Sequence, residues 1–521
     1  MNRITCAWRL VAVLLALIVW SPSVFAASCE KLAAGTGFHG KVLASSLVID
    51  GRPPVPAEQW DTSPGMNVAG RPAARPLPRF CRVQLLLSSG AGSQIRSEVW
   101  LPLDHWNGRL LGLGNFGWGG VPAWGSMAAG LAEGYAVVGS DSGHDATASP
   151  GGEFALGHRA ALDDYGGRAT HLMTMAAKRL VRAWSGHAPL HTYFIGCSLG
   201  GLQALIEASR YPADYDGIVA GAPPNPLPAF NAAQIWPQAL LAVNPAGKVS
   251  QSLLAGVAHA ALAACASPVG TAQGFIEDPA RCAFDPASLI CPDPQSAPPG
   301  SVCLTRDQAE FLRRVHAGPT TGGPDGTPGR AIFPGPAVGS DNMLWPFVNG
   351  NEFRNAADLF RYAAFQDVQW SPLRFDWSRD AEAADRATRG MFTVAPDLDR
   401  FVAHGGRLLL YIGWDDYHDP RQLAGWQDAV IRHAGPRAQG AVRLFALPGV
   451  GHCQGGPGCD TFAKLGTIDR WVSTGHAPQR LIASKVDQGR VVRERLVCAW
   501  PKVARYDGHG AMDRADSFHC Y

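Results

Sequence analysis

The stretch that decides the fold is His191-Thr-Tyr-Phe-Ile-Gly-Cys-Ser-Leu-Gly-Gly201, followed by Leu202–Arg210. An apolar run rich in β-branched and aromatic residues leads into Gly196-x-Ser198-x-Gly200, and apolar residues then recur at helical spacing. A serine between a strand and a helix is held in a sharp, strained turn that needs the flanking glycines. The pattern therefore predicts that Ser198 is a nucleophile. The alternative is a serine that only caps the helix.

Several other apolar runs are each followed by Gly, Pro or Asp and then by a helical pattern, which is typical of an α/β sheet. The predicted strands are Val83–Leu87, Glu98–Leu101, Arg109–Leu113, Tyr135–Ser140, Thr192–Ile195, Gly217–Ala220, Arg407–Ile412 and Arg443–Leu447. Six precede residue 222 and two follow residue 406, whereas residues 223–403 show no strand pattern. We therefore predict an α/β fold of the α/β-hydrolase type, with catalytic segments 28–222 and 404–521 and an inserted lid domain at 223–403.

The order Ser, Asp, His of such a fold requires an acid after a later strand and a histidine on a loop near the C-terminus. The strand Arg407–Ile412 leads into Gly413-Trp-Asp-Asp-Tyr-His-Asp419, which offers three carboxylates. The strand Arg443–Leu447 leads into Pro448-Gly-Val-Gly-His452. A histidine can take the serine proton and return it to a leaving alcohol, and an Asp holds it in the required tautomer. His452 is the predicted base, and the pattern alone leaves the acid open.

Composition and charge exclude several classes of protein. The 521 residues include 45 Lys and Arg and 43 Asp and Glu, a net charge of +2, and no basic run marks a nucleic-acid surface. Arg3 and Arg9, the apolar run Leu10–Trp20 and the small residues before Ala27 match a secretory signal at residues 1–27. No later window has the length and apolar character of a membrane span. We expect a secreted or periplasmic protein that binds neither nucleic acid nor membrane.

The cysteines fit an oxidising compartment. Removal of the signal leaves eleven, so at least one has no partner within the chain. The chain has no C-x-x-C motif and no zinc-like spacing of His and Cys, which favours disulfides over a metal site. Cys29, Cys81, Cys498 and Cys520 are among the expected half-cystines.

Several segments resemble the tannase/feruloyl esterase family over nearly the whole mature chain. They are Gly196–Gly201 with the later His452-Cys453, Asn107–Gly120, Ser140–His144 and Tyr215–Pro223. The resemblance implies that Asp416 rather than Asp415 is the acid, and that the oxyanion is bound by the N–H groups of Leu199, the residue after the nucleophile, and Gly114. It also implies a disulfide between Cys197 and Cys453, which the adjacency of these cysteines to Ser198 and His452 favours independently.

One segment departs from the family. Many members carry a calcium loop in the lid, and the corresponding stretch here is Cys265–Pro279. Its ligand positions hold Ala266, Val269 and Gln273, whereas a Ca²⁺ site needs six to eight oxygens. We therefore expect no metal and no cofactor. The resemblance implies that the disulfides Cys265–Cys282 and Cys291–Cys303 hold this region and that Cys459 is unpaired.

The expected function is a secreted serine carboxylic ester hydrolase that cleaves small esters of aromatic acids through an acyl-enzyme. The resemblance implies feruloyl esters, with tannase or terephthalate monoester hydrolase activity at the same site as alternatives. An exopeptidase is disfavoured because no carboxylate pair for an amino terminus is recognisable. A non-catalytic binding module is disfavoured because Ser198, Asp416 and His452 occur in the required order. Candidate pocket aromatics, none preferred, are Phe116, Trp118, Trp124 and Trp345.

Overall fold

A computed structural model describes residues 29–33, 38–52, 54–55, 76–292 and 302–521. The predicted signal peptide, residues 1–27, lies outside the described residues. The strands of the central sheet are β1 (Gly40–Val48), β2 (Phe80–Leu87), β3 (Ile95–Pro102), β4 (Arg109–Leu113), β5 (Ala136–Ser140), β6 (His191–Cys197), β7 (Gly217–Gly221), β8 (Arg407–Gly413) and β9 (Val442–Leu447). Their order is β1-β2-β3-β5-β4-β6-β7-β8-β9. Pairing is antiparallel from β1 through β3 to β5 and parallel from β5 to β9.

Helices pack on both faces of the parallel part of the sheet. The described α-helices are α1 (Trp124–Ala132), α2 (Arg159–Asp163), α3 (Ala169–Ser185), α4 (Leu199–Arg210), α5 (Leu227–Val243), α6 (Gln251–Cys265), α7 (Pro268–Gln273), α8 (Arg306–Ala317), α9 (Trp345–Val348), α10 (Arg354–Asp358), α11 (Asp380–Ala387), α12 (Asp399–Ala403), α13 (Pro420–Ala434), α14 (Pro436–Gln439) and α15 (Lys464–Thr474). β5 and β7 are buried at every residue. Strands covered on both faces are continuously apolar, which is why these runs were recognisable in the sequence. This mixed sheet with its helices is the predicted α/β arrangement.

The segment between β7 and β8 folds as a group of helices. It contains α5 to α12, and among its described residues none joins the central sheet. Its helices enclose a hydrophobic cluster of their own, which includes Trp236, Phe311, Phe360 and Trp370. We call residues 223–403 the lid. Because α5 follows β7 directly, the lid begins beside the carboxyl ends of the parallel strands.

The predicted strands all overlap strands of the sheet, but five strands were not predicted. They are β1 and, after the last predicted strand, β10 (Arg480–Asp487), β11 (Arg490–Cys498), β12 (Ala504–Tyr506) and β13 (Phe518–Cys520). The expectation of only two strands after residue 406 is therefore wrong. β1 is an exposed edge strand without a fully buried residue, and the β10–β11 hairpin carries many charges, so neither shows the apolar pattern of a buried strand.

Ten cysteines form disulfides in the structure, with Cα–Cα distances between 5.4 and 6.0 Å. The pairs are Cys29–Cys81, Cys197–Cys453, Cys265–Cys282, Cys291–Cys303 and Cys498–Cys520. Cys459 is a buried free thiol. None of the described helices is both long and apolar enough to cross a membrane.

Candidate active site

Ser198 lies at the sharp turn between β6 and α4. Its backbone has φ 59° and ψ −126°, a conformation that is costly for a residue with a Cβ. Its N–H donates to Gly221 O at 3.0 Å, and its side chain makes no capping hydrogen bond to α4. The serine is therefore not a helix cap, and its hydroxyl is left for other chemistry.

Two glycines allow this turn to pack against its neighbours. A Cβ on Gly196 would lie 2.3 Å from Gly200 O, and a Cβ on Gly200 would lie 2.4 Å from Asn115 O. Both distances are far inside van der Waals contact with backbone atoms, so any larger residue would displace the turn. The glycines thus hold Ser198 close to the loop that follows β4.

Asp416 and His452 meet beyond the ends of β8 and β9. His452 Nδ1 lies 2.9 Å from Asp416 Oδ2 and 3.0 Å from Oδ1. Asp416 is fully buried, and its Oδ1 also accepts the N–H of His418 at 3.1 Å. A carboxylate can only accept hydrogen bonds, so His452 carries its proton on Nδ1. Nε2 has no hydrogen-bond partner among the described residues and is available as a base.

The other two carboxylates after β8 do not reach the histidine. Asp419 caps α13 with its side chain. Asp415 lines a separate cavity, where burial raises its pKa to about 7. Of the three candidates, the structure brings only Asp416 to His452.

The disulfide Cys197–Cys453 joins the residues next to Ser198 and His452. β6 and β9 are separated by two strands, so they lie about 14 Å apart in the sheet and share no ladder of hydrogen bonds. The bridge brings the loops beyond them to a Cα–Cα distance of 6.0 Å. Both half-cystines are buried. The bridge is therefore a direct covalent link between the turn that carries the serine and the loop that carries the histidine.

The N–H groups of the two predicted oxyanion donors, Leu199 and Gly114, differ in whether they already have an acceptor. Leu199 is the first residue of α4, so its N–H has no acceptor within the helix. The Gly114 N–H instead donates to Ile195 O at 2.9 Å and extends the ladder between β4 and β6. The predicted role of Gly114 is therefore wrong, because this N–H is already engaged in the sheet.

The loop after Gly114 offers other donors. The Asn115 N–H donates to Gln203 Oε1 at 2.8 Å, which ties the loop to α4. The next two N–H groups, of Phe116 and Gly117, have no acceptor within the part of the chain that the structure describes. Gly117 also lines the cleft that contains Ser198. These two N–H groups lie two and three residues after the predicted donor, Gly114, and they are the candidate donors of this loop.

Ser198 lies in the wall of a narrow cleft. Its described lining consists of Gly117, Trp118, Tyr165, Ser198, Leu199, Pro224, Leu227, Phe230, Asn231, Gln234, Asn355 and Tyr417. Four of these are aromatic, three are neutral amides and none is charged. The Tyr417 ring centroid lies 4.5 Å from that of His452. Of the four candidate pocket aromatics, only Trp118 is among these residues. The lining side chains from α5 could not be predicted from the sequence, because no motif marks them.

The arrangement can be compared with known proteins. The sequence model of the family described as "Tannase and feruloyl esterase" matches residues 81–521. The chain belongs to this family. It is 32% identical to an uncharacterised esterase of Xanthomonas campestris pv. campestris, over 85% of this chain and 84% of the relative. It is 28% identical to the mono(2-hydroxyethyl) terephthalate hydrolase of Piscinibacter sakaiensis, over 96% of this chain and 92% of the relative.

The fold comparison agrees. The crystal structure of feruloyl esterase B from Aspergillus oryzae superposes with a TM-score of 0.82 at 26% identity, covering 95% of this chain and 99% of the other. This tannase/feruloyl esterase family member has an α/β-hydrolase fold and is a carboxylic ester hydrolase.

Other contacts hold Cys265–Pro279, the loop in which the family resemblance implies a calcium ion. Part of it forms the short helix α7, and Val269 is buried there against apolar residues of the C-terminal segment. Gln273 Oε1 accepts a hydrogen bond from Arg495. Both oxygens of Glu277 accept from Ser267, one from its hydroxyl and one from its N–H. The residues present do not fit a calcium ion, because Glu277 and Asp278 are the only carboxylates of Cys265–Pro279 and both oxygens of Glu277 are already engaged.

Proposed function

We propose that this esterase is an exported serine enzyme that hydrolyses esters of aromatic acids, feruloyl esters foremost, through an acyl-enzyme. The observation that carries the proposal is the pair of His452 and Asp416, linked through Cys197–Cys453 to Ser198 beside a cleft with aromatic walls. The relatives named as feruloyl esterases and as a terephthalate monoester hydrolase support aromatic acids as the acyl group. The disulfides support export, because they persist in oxidising compartments.

Each group has one role in the proposed mechanism. Ser198 Oγ attacks the ester carbonyl while His452 Nε2 takes the hydroxyl proton, and Asp416 stabilises the imidazolium that forms. The N–H of Leu199 and an N–H of Phe116 or Gly117 bind the oxyanion. His452 then protonates the leaving alcohol, which leaves an acyl-enzyme. A water molecule, deprotonated by the same Nε2, attacks the acyl carbonyl and releases the aromatic acid.

The lining of the cleft favours uncharged acyl groups. Trp118, Tyr165 and Phe230 provide apolar surface for an aromatic ring. Asn231 and Gln234 offer amide groups to phenolic hydroxyl or methoxy substituents. A terephthalate monoester has a free carboxylate, which would be buried here with no cation among the described lining residues. We therefore expect phenolic acids, feruloyl or galloyl, to be preferred to terephthalate monoesters.

The roles of Ser198 and His452 are tested by alanine substitution. Ser198→Ala and His452→Ala should each lower kcat on methyl ferulate by several orders of magnitude, because each removes a group that forms bonds or transfers protons in the reaction. Unchanged circular dichroism shows that the fold is kept, and Ser149→Ala, outside the cleft, serves as the matched control. A fluorophosphonate should label the wild type but not Ser198→Ala. More than about a tenth of wild-type turnover in either variant, a loss below about 1.4 kcal/mol, would reject the assignment.

A substrate panel tests the acyl specificity. Methyl ferulate and methyl gallate should be hydrolysed with higher kcat/KM than monomethyl terephthalate, and dimethyl terephthalate, which lacks the free carboxylate, should exceed its monoester. Hydrolysis of an aminoacyl anilide in place of these esters would instead indicate an exopeptidase. If monomethyl terephthalate equals or exceeds methyl ferulate, the argument from the uncharged lining fails.

A further inference from the structure

Arg495 is a buried cation that connects the C-terminal hairpin to the lid. It lies on β11, is 4% exposed, and donates a hydrogen bond to Gln273 Oε1 on α7. The centre of its guanidinium lies 4.1 Å from the ring centroid of Phe518 and 5.1 Å from that of Phe275. A guanidinium held between two rings in a water-poor site gains from the attraction of the ring faces. One side chain thus contacts both the loop of residues 265–279 and the last strand of the chain.

The charge of Arg495 is matched by the loop it contacts. Glu277, the carboxylate held by Ser267, lies close enough to favour the charged form of the arginine. Burial lowers the pKa of Arg495 to about 10, with this acid opposing the effect, so the guanidinium stays charged at neutral pH. The side chain therefore brings a fixed positive charge to the loop in which the family resemblance implies a calcium ion.

Phe275, which Arg495 contacts, also packs against the loop that contains His452. Phe275 packs on Gly449, where a Cβ would lie 2.5 Å from the ring. Gly449 has φ +68° and accepts the N–H of Gly458 at 2.7 Å, which closes the loop that contains His452. Arg495 thus contacts the Phe275 ring, and the same ring packs on the backbone of the loop that contains the candidate base.

We propose that Arg495 replaces the family's calcium ion as the cation of the lid loop and acts, through Phe275, as a positioning residue for His452. The structural part of the proposal, that Arg495 takes the place of the ion, is argued from the contacts of Arg495 alone. The kinetic part, that Arg495 positions His452, rests on the proposed function.

Thermal melts test the structural part. We expect neither EDTA nor CaCl₂ to change the melting temperature of the wild type. Arg495→Met should lower it by about 2 to 4 °C, and added CaCl₂ should not restore it. Arg495→Lys, which keeps the charge, should have a melting temperature between those of the wild type and Arg495→Met. Arg490→Met, at the exposed end of the same strand, should melt like the wild type. Gln273→Ala is a milder probe, and in a double-mutant cycle with Arg495→Lys its effect should be less than additive.

Two melting results would overturn the proposal that Arg495 takes the place of a calcium ion. One is a wild type that loses several degrees in EDTA and regains them with calcium. The other is an Arg495→Met variant that melts like Arg490→Met.

Kinetics test the positioning part. Arg495→Met should lower kcat on methyl ferulate about 10- to 100-fold with little change in KM, because displacing the base by a fraction of an ångström to 1 Å affects the chemical step rather than the cleft. Arg495→Lys should recover part of kcat. Unchanged kcat in Arg495→Met would overturn the positioning role. A wild type without esterase activity would overturn the proposed function instead, and the melts would still report on the replacement.

Discussion

The acid that supports His452 can be identified by exchanging one carboxylate at a time for an amide. In Asp416→Asn the side chain keeps its size, and its oxygen should take the Oδ1 position, because that atom accepts the N–H of His418 at 3.1 Å. The amide NH₂ then occupies the Oδ2 position, 2.9 Å from His452 Nδ1. Two donors cannot face each other, so the histidine must move its proton to Nε2 and lose its function as a base.

The size of the loss follows from this change of tautomer. Aspartate-to-asparagine exchange in a Ser, His, Asp triad costs about 10⁴ in kcat, which corresponds to about 5.4 kcal/mol in the barrier. Asp415→Asn should cost less than tenfold, or less than about 1.4 kcal/mol, because among the described residues the carboxylate that accepts from His452 is that of Asp416. The two variants differ by one position in the sequence and are matched in chemistry, so each is the control for the other.

The assay is kcat for methyl ferulate hydrolysis at pH 7 to 9, with melting curves to show that both variants fold. If Asp415→Asn loses more activity than Asp416→Asn, or if Asp416→Asn keeps more than about a tenth of wild-type turnover, the hydrogen bond to His452 is not the catalytic one.

Two further predictions concern stability and turnover. Replacing both Cys197 and Cys453 by Ala should lower kcat about 10²-fold while the protein remains folded, because the bridge aligns two loops that no strand pairing connects; peptide mapping of the wild type without reductant should show the two linked, and free thiols would contradict the proposal. Burial and the charge of Asp214 raise the pKa of Glu207 well above its ordinary value. The folded state therefore keeps a proton that the unfolded chain loses, so stability falls as the pH rises above the ordinary Glu value of about 4.3. Melting temperatures at pH 5 and pH 8 should differ less in Glu207→Gln than in the wild type, and an equal difference would refute this.

Much of the site was predictable because its chemistry is local in the sequence. The turn at Ser198 needs glycines at fixed spacing, and the strands before Asp416 and His452 are recognisable as buried, continuously apolar runs. The choice between Asp415 and Asp416 is different. Both follow the same strand, and only the path of the loop beyond β8 decides which carboxylate faces Nδ1.

The oxyanion loop shows the same limit. A glycine-rich stretch after β4 predicts a donor there, but the pairing of β4 with β6 engages the Gly114 N–H with Ile195 O. That pairing joins residues about eighty positions apart, so no local pattern could show which N–H groups of the loop have no acceptor among the described residues.

The sequence by itself determined the α/β order of the chain and predicted the candidate nucleophile and base, because helical and strand periods and the geometry of a tight turn depend on neighbouring residues. Only the tertiary structure decided which side chains of α5 line the cleft and that Arg495 contacts Gln273 in the loop where the family resemblance implies a metal. Those contacts join segments that are far apart in the chain, and packing brings them together through burial and charge rather than through any repeated pattern in the sequence.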